Sequence, residues 1–154
     1  MEIKQVIDFT QTHLKNEKTG HDFYHGERVA NLASQMYLAD HADAHEDSRV
    51  VAIIKTAGYL HDTIDEKICA DPQKVIDEIK VLLPQVGFNE LEAWDILFTI
   101  QHMSFSANIE HHYHLPLSGQ YVQDADRLES LGAIGIARAF TYGGNCLLYT
   151  SPSP

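Results

Sequence analysis

The chain has 154 residues, 44% of them hydrophobic, and a formal net charge of −11 at pH 7 with histidine neutral. This length suits one domain with a sizeable core. The acidic charge disfavours a nucleic acid as partner, because phosphate contacts need clustered Lys and Arg. No apolar run is long enough to predict a membrane span or a signal peptide. The two cysteines lie far apart, which favours reduced thiols and a cytoplasmic location.

Helical periodicity runs through most of the sequence. The first residues follow an amphipathic pattern that breaks near Gly20, and Asn89 and Asp71-Pro72 are typical of helix starts. Residues 104–119 form a predicted loop. Further helices are predicted over about 22–39, 47–61, 72–83, 88–103 and 121–140. No alternating strand pattern of useful length occurs, so the sequence predicts one all-α domain of about six helices.

Histidine and aspartate recur near the ends of these predicted helices. His25 lies one turn into the second helix, His61-Asp62 closes the most apolar helix, and Asp124 and Asp126 precede the apolar part of the last helix. Alone, the His-Asp pair would be an ordinary helix end, with the imidazole near the C-terminal dipole. Two histidines together with carboxylates suit a first-row divalent ion such as Mn, Fe, Co, Ni or Zn.

Four blocks of sequence resemble the HD superfamily of metal-dependent phosphohydrolases, in particular its small bacterial single-domain members. The blocks lie within residues 15–144 and read HDFYHGERVANLA, LHDTIDEK, IQHMSFS and VQDADRLESLGAIGIARAFTYGG. The resemblance implies the helical HD bundle and hydrolysis of a phosphoester or phosphoanhydride in a small phosphorylated metabolite. It also implies a divalent metal, with Mn expected first and Mg, Co, Ni, Fe or Zn as alternatives.

Carried over position by position, the resemblance implies four metal ligands: His25, His61, Asp62 and Asp126. In this superfamily the last ligand is typically the Asp two positions before a helix-start Leu, in the pattern ADRL. That pattern selects Asp126 here. Asp124 is the alternative ligand, and we expect it to be a helix N-cap instead.

Three more residues are expected beside the metal. Asp65 matches an acidic position that related HD nucleotidases use to handle the attacking water or the leaving group. A solvated carboxylate, or one paired with Lys67, is the other interpretation of Asp65. Arg28 and Lys67 are the nearest basic residues and are expected to bind substrate phosphate. The competing interpretation of Arg28 is a salt bridge to Asp62, Asp65 or Glu27.

The remaining histidines are interpreted by their positions. The resemblance places His102 at the edge of the pocket, where it would bind phosphate or protonate a leaving group. A partly buried structural histidine is an equal alternative. His111, His112 and His114 lie in the predicted loop, and we expect them to be solvated loop residues rather than a metal cluster.

The sequence therefore predicts a cytoplasmic, bacterial, metal-dependent phosphohydrolase. Its expected substrate is a nucleotide, in a reaction of the nucleoside triphosphate pyrophosphohydrolase or nucleotidase type. The sequence does not distinguish this reaction from the hydrolysis of phosphomonoesters or of cyclic nucleotides. We expect no membrane or nucleic-acid partner, and a homodimer is one expected state. Two other classes stay open, a metal-stabilised ligand-binding or signalling domain without turnover and a helical interaction module with a coincidental His-Asp pair.

The last residues differ from the rest of the chain. Family members generally continue beyond the FTYGG block, whereas this sequence ends NCLLYTSPSP, without an amphipathic pattern. We expect a phosphohydrolase domain over 1–144 and an atypical tail over 145–154. The tail is interpreted as truncated or foreign sequence, or as an ordinary flexible end.

Overall fold

The computed structural model describes residues 3–15, 21–104 and 111–145, and within these ranges it is helical without any strand. Seven α-helices are present there, α1 Ile3–Leu14, α2 Phe23–Asp40, α3 Arg49–Leu60, α4 Pro72–Gln85, α5 Glu90–His102, α6 Leu117–Glu129 and α7 Gly132–Asn145. A short 3-10 helix, His61–Ile64, continues directly from α3. The prediction of an all-α bundle is confirmed. The predicted tail after Asn145 lies outside the described residues.

Helix α3 is the centre of the bundle and packs against α1, α2, α5 and α6. Its sequence is apolar around most of its circumference, as expected for a helix surrounded by others. The approach to α2 is especially close at Gly58, where an added Cβ would lie 2.6 Å from the Cα of Ala30. The absence of a side chain at Gly58 therefore lets the start of α2 lie beside the end of α3.

Side-chain caps define several of the helix starts. Asp22 accepts a hydrogen bond from the backbone N–H of His25 at 2.9 Å, and Asp71 accepts one from Lys74 at 3.1 Å. Asn89 forms a reciprocal capping box with Glu92. The predicted helix starts near Asp22, at Asp71-Pro72 and at Asn89 are confirmed.

The chain after Leu115 differs from the prediction. The expected single helix over 121–140 is in fact two helices, because α6 begins at Leu117 and ends at Glu129 before α7 starts at Gly132. Gly132 has a φ of +70°, in the left-handed region that favours glycine. The apolar pattern continues across this turn, so helical periodicity did not reveal the break.

Helix α7 packs against α6 and exposes much of its apolar surface, including Ile134, Ile136 and Phe140. Arg138 and Tyr142, which are one turn apart on this helix, line a cavity together with His21. Despite the exposed apolar residues, the described part of the chain contains no helix with both the length and the apolar character needed to cross a membrane.

Candidate metal centre

Four side chains from α2, the 3-10 helix and α6 converge at one end of the bundle. The Nε2 atom of His25 lies 3.3 Å from Nε2 of His61 and 3.1 Å from Oδ1 of Asp126. The Nε2 atom of His61 lies 3.3 Å from Oδ1 of Asp62 and 3.8 Å from Oδ1 of Asp126. His25, His61 and Asp62 are buried, whereas the side chain of Asp126 is 32% exposed. The structure thus brings together the four residues predicted as metal ligands.

The spacing of these donor atoms fits a divalent ion. At metal–ligand distances of about 2.1 Å, neighbouring ligand atoms are separated by about 3.0 Å in an octahedral site and about 3.4 Å in a tetrahedral one. The separations of 3.1 to 3.8 Å between the imidazole nitrogens and carboxylate oxygens fall close to this range. Two imidazoles and two carboxylates are also a donor set that first-row divalent ions favour.

The end of α3 determines how His61 and Asp62 are presented. The α-helix tightens into a 3-10 turn at His61, and both residues of the pair become buried there. Nδ1 of His61 donates a hydrogen bond to the carbonyl oxygen of Gly58 at 2.7 Å. This bond places the proton of a neutral imidazole on Nδ1, so Nε2 faces the other donors as a lone pair.

The position of the last aspartate is decided by the rotation of α6. Asp126 points toward His25, whereas Asp124 is exposed in the middle of the helix. Two residues correspond to about 200° of rotation in an α-helix, so the two carboxylates lie on different sides. The expectation that Asp124 is an N-cap is wrong, because α6 begins seven residues earlier, at Leu117.

The surroundings favour the protonation states that a metal requires. Burial lowers the pKa of His25, and the neighbouring His61 lowers it further against the opposing hydrogen bond to Asp126. Burial would raise the pKa of Asp62, but His61 and the hydrogen bond from His21 outweigh it and lower the pKa. The pKa of Asp126 is also lowered, since His25 and His61 outweigh the effect of burial. A neutral imidazole at His25 and two ionised carboxylates are forms that bind metal.

Glu129 is a neighbour of His25 that the sequence analysis did not identify. Its Oε2 lies 3.8 Å from Nδ1 of His25 and accepts a hydrogen bond from Nε of Arg28 at 2.7 Å. Arg28 therefore forms a salt bridge, as its competing interpretation expected, but with Glu129 instead of the three predicted carboxylates. Glu129 lies three residues after Asp126, one turn along the same face of α6. This spacing from a predicted metal ligand is the feature of the sequence that could have identified Glu129.

Asp65 and His21 extend the cluster beyond the four donors. Nδ1 of His21 lies 3.2 Å from Oδ2 of Asp62, and the ligand atoms of His21, Asp62 and Asp65 all lie within 4.8 Å of one another. Asp65 accepts a hydrogen bond from the backbone N–H of Lys67 at 2.8 Å, so it contacts the main chain of the residue that its competing interpretation named. His21 begins the block HDFYHGERVANLA, but it was not among the residues predicted for the site.

A cavity of about 320 Å³ lies next to this extension. Its wall includes His21, Lys67, Arg138 and Tyr142. The Nζ atom of Lys67 lies 5.9 Å from the centroid of the Tyr142 ring. The structure thus places Lys67 beside the metal cluster, as expected, together with Arg138 and Tyr142, which the sequence analysis did not single out.

The other predicted histidines lie among aromatic residues or in solvent. His102 stacks on Phe98 and tilts against Tyr113, with ring centroids 4.3 Å apart in both pairs, and its Nδ1 donates to the carbonyl oxygen of Phe98 at 2.8 Å. Its role at a pocket edge stays a prediction. His111, His112 and His114 are exposed. In residues 3–15, 21–104 and 111–145, none of these three histidines belongs to a group of side chains that could hold a metal ion.

Comparisons with known proteins agree with this architecture. No protein-family model matches the chain. YpgQ of Bacillus subtilis is 34% identical over 142 residues, which are 92% of this chain and 66% of that protein. A crystal structure of YpgQ in complex with ADP superposes with a TM-score of 0.70 at 33% identity, covering 94% of this chain and 66% of YpgQ.

Two further solved structures share the fold. A protein from Lactobacillus plantarum has a TM-score of 0.74 at 31% identity, over 93% of this chain and 62% of its own. A structure from an uncultured Thermotogales bacterium, described as a predicted HD superfamily hydrolase, has a TM-score of 0.63 at 23% identity, over 94% of this chain and 77% of its own. The chain spans slightly less than two thirds of the length of YpgQ and of the Lactobacillus protein.

Proposed function

We propose that this chain, which belongs to the HD superfamily by its fold, is a metal-dependent phosphohydrolase that acts on a nucleotide. The observation that supports the proposal most directly is the convergence of His25, His61, Asp62 and Asp126 with donor separations of 3.1 to 3.8 Å. The nucleotide is proposed because the related YpgQ has been crystallised in complex with ADP.

In this proposal the four converging side chains would hold a divalent ion, with Mn first among the candidates and Mg, Co, Ni, Fe or Zn as alternatives. When bound, such an ion would supply Lewis-acid chemistry, polarising a phosphate oxygen and lowering the pKa of water beside it. Asp65 lies beside Asp62 and His21 at the edge of the cluster, and this proximity supports a role for its carboxylate in accepting a proton from the attacking water. Asp65 is therefore the proposed general base.

The proposed substrate ligands have different surroundings. Lys67 lines the cavity beside His21 and is exposed, so its ammonium is accessible to a phosphate. Arg28 donates from Nε to Glu129, so its first role is to position that carboxylate. We also propose that Arg28 and His102 bind phosphate. The variants Arg28→Gln and His102→Gln test these two roles separately.

The direct test is a screen for release of phosphate and pyrophosphate from nucleotides with Mn, Mg, Co or Ni. We expect hydrolysis that requires added metal and is lost in Asp62→Ala, because this carboxylate lies in the centre of the donor set. Asp65→Asn should still bind metal but lose at least about 100-fold in rate, the range for a general base. Equal activity of Asp62→Ala and the unchanged protein would refute the proposal.

The same screen separates the enzyme from a metal-stabilised ligand-binding domain. Nucleotide binding with metal, without release of phosphate or pyrophosphate under any condition, would identify a binding domain. Comparison of nucleoside triphosphates with monophosphates and cyclic nucleotides would then distinguish pyrophosphate cleavage from phosphomonoester and cyclic phosphodiester hydrolysis.

A further inference from the structure

We propose that the cavity between His21, Lys67, Arg138 and Tyr142 binds the phosphate chain of the substrate beyond the phosphorus that reacts. Substrates with two or more linked phosphates would therefore be preferred over monoesters. The inference deepens the proposed function and rests on it for the identity of the reacting group. The binding of a phosphate chain by the cavity can be measured without turnover.

Of the described residues that line the cavity, two are basic and none is acidic. The formal net charge of the protein is −11, yet two of its basic side chains, Lys67 and Arg138, line this one cavity. A cluster of positive charge attracts a polyanion.

The contacts within the cavity orient these groups. The Nζ atom of Lys67 lies 5.9 Å from the centroid of the Tyr142 ring, within the range of a cation–π interaction. The rings of Tyr142 and His21 meet edge to face, with centroids 6.4 Å apart. Tyr142 thus contacts both the ammonium and the imidazole, and these contacts restrict the positions of the two groups.

His21 connects the cavity to the candidate metal centre. Its Nδ1 lies 3.2 Å from Oδ2 of Asp62, and its ring also lines the cavity. A phosphate bound beside this centre would therefore have its neighbouring phosphate at the mouth of the cavity. At about 320 Å³ the cavity is at the small end of ligand pockets, which span about 300 to 1,000 Å³. This size suits a phosphate chain better than an entire nucleotide.

The first test measures the binding of inorganic tripolyphosphate by calorimetry in EDTA, so that no metal contributes. We expect Arg138→Gln and Lys67→Gln each to weaken binding by about 10- to 100-fold, the range for loss of a charge-assisted hydrogen bond. Arg127→Gln is the matched control, because it removes the same charge from an exposed position on α6 that does not line the cavity. Its affinity should equal that of the unchanged protein.

The second test compares kcat/KM on a nucleoside triphosphate and on a phosphomonoester in the presence of Mn. Arg138→Gln should lower kcat/KM at least about tenfold on the triphosphate and leave the monoester value within about twofold. Unchanged tripolyphosphate binding by Arg138→Gln, or equal losses on both substrates, would overturn the inference. Normal binding without any turnover would instead refute the proposed function and leave the phosphate site intact.

Discussion

Nδ1 of His25 lies 3.8 Å from Oε2 of Glu129, and the same oxygen accepts a hydrogen bond from Nε of Arg28. Histidine ligands of metal ions usually donate their second ring N–H to a carboxylate or a carbonyl, which fixes the orientation of the ring. His61 already makes such a bond to the carbonyl oxygen of Gly58. Nδ1 of His25 makes no hydrogen bond within the described residues, and Glu129 is the nearby carboxylate that would accept one on closer approach. We therefore expect Glu129, which is held by Arg28, to orient His25 when a metal is bound.

Glu129→Gln should weaken metal binding by about 10- to 100-fold, the usual effect of losing the outer partner of a ligand. The physical reason is that a neutral amide stabilises the required tautomer of His25 less than a carboxylate does. The measurement is a Mn titration by calorimetry. Glu90→Gln, at the exposed start of α5, is the control with the same chemical change and should not alter affinity. Equal affinity of all three proteins would contradict a positioning role for Glu129.

Asp126→Asn should weaken Mn binding by at least about tenfold, whereas Asp124→Asn should leave it unchanged. The two residues lie on the same helix, but only the carboxylate of Asp126 contacts both His25 and His61. Paramagnetic resonance of free Mn at fixed protein concentration measures the bound fraction directly. A larger loss in Asp124→Asn than in Asp126→Asn would show that Asp124 is the last ligand and that the assignment to Asp126 is wrong.

Removal of metal should lower the thermal stability of the protein. An ion present at about 100 times its Kd stabilises the folded state by about 2.7 kcal/mol. For a chain of this size, that energy corresponds to a rise in Tm of roughly 5 to 10 °C. Melting curves with EDTA and with excess Mn check this. Asp62→Ala should show no shift between the two conditions, and a shift equal to that of the unchanged protein would exclude this site.

The metal-free protein should lose stability as the pH falls below about 4. The pKa values of Asp62 and Asp126 are lowered in the folded state. In the pH range between these lowered pKa values and the ordinary Asp pKa of about 3.9, the unfolded chain therefore binds more protons than the folded protein. Their contribution is complete above this window and is lost as the pH falls through it. Urea unfolding in EDTA between pH 5 and pH 2.5 measures the loss.

Asp62→Asn should flatten this acid dependence, because an amide does not titrate. Asp124→Asn is the control and should retain the slope of the unchanged protein. The same slope in all three proteins would show that the buried carboxylate is not responsible for acid sensitivity.

Gly58→Ala should destabilise the protein by about 1 to 3 kcal/mol, the range for overpacking a core. Its Cβ would lie 2.6 Å from the Cα of Ala30, so α2 and α3 would have to separate. Gly144→Ala is the matched control, since an added Cβ there meets nothing within 4 Å. In a helix it should be neutral or stabilising by up to about 1 kcal/mol. Urea unfolding of the two variants separates loss of space from a general effect of alanine.

The helices and most of the candidate site were accessible from the sequence because their signals are local. Apolar residues at helical spacing and capping residues such as Asn89 predicted most of the described helices. The adjacent His61 and Asp62 could be recognised together as one pair. The order of His25, this pair and Asp126 supplied the resemblance that selected the ligands. The break before Gly132 was missed, because periodicity does not report the φ angle of a single residue.

The remaining relationships depend on how distant helices pack. His25 and Asp126 are 101 residues apart in the chain, yet their side chains meet at 3.1 Å because α2 and α6 pack together. The same packing pairs Arg28 with Glu129, and α7 brings Arg138 to the cavity of His21. Composition and spacing predict which residues are suited to bind metal or phosphate. Their partners are decided by interhelical distances and rotations, which no short segment of sequence specifies.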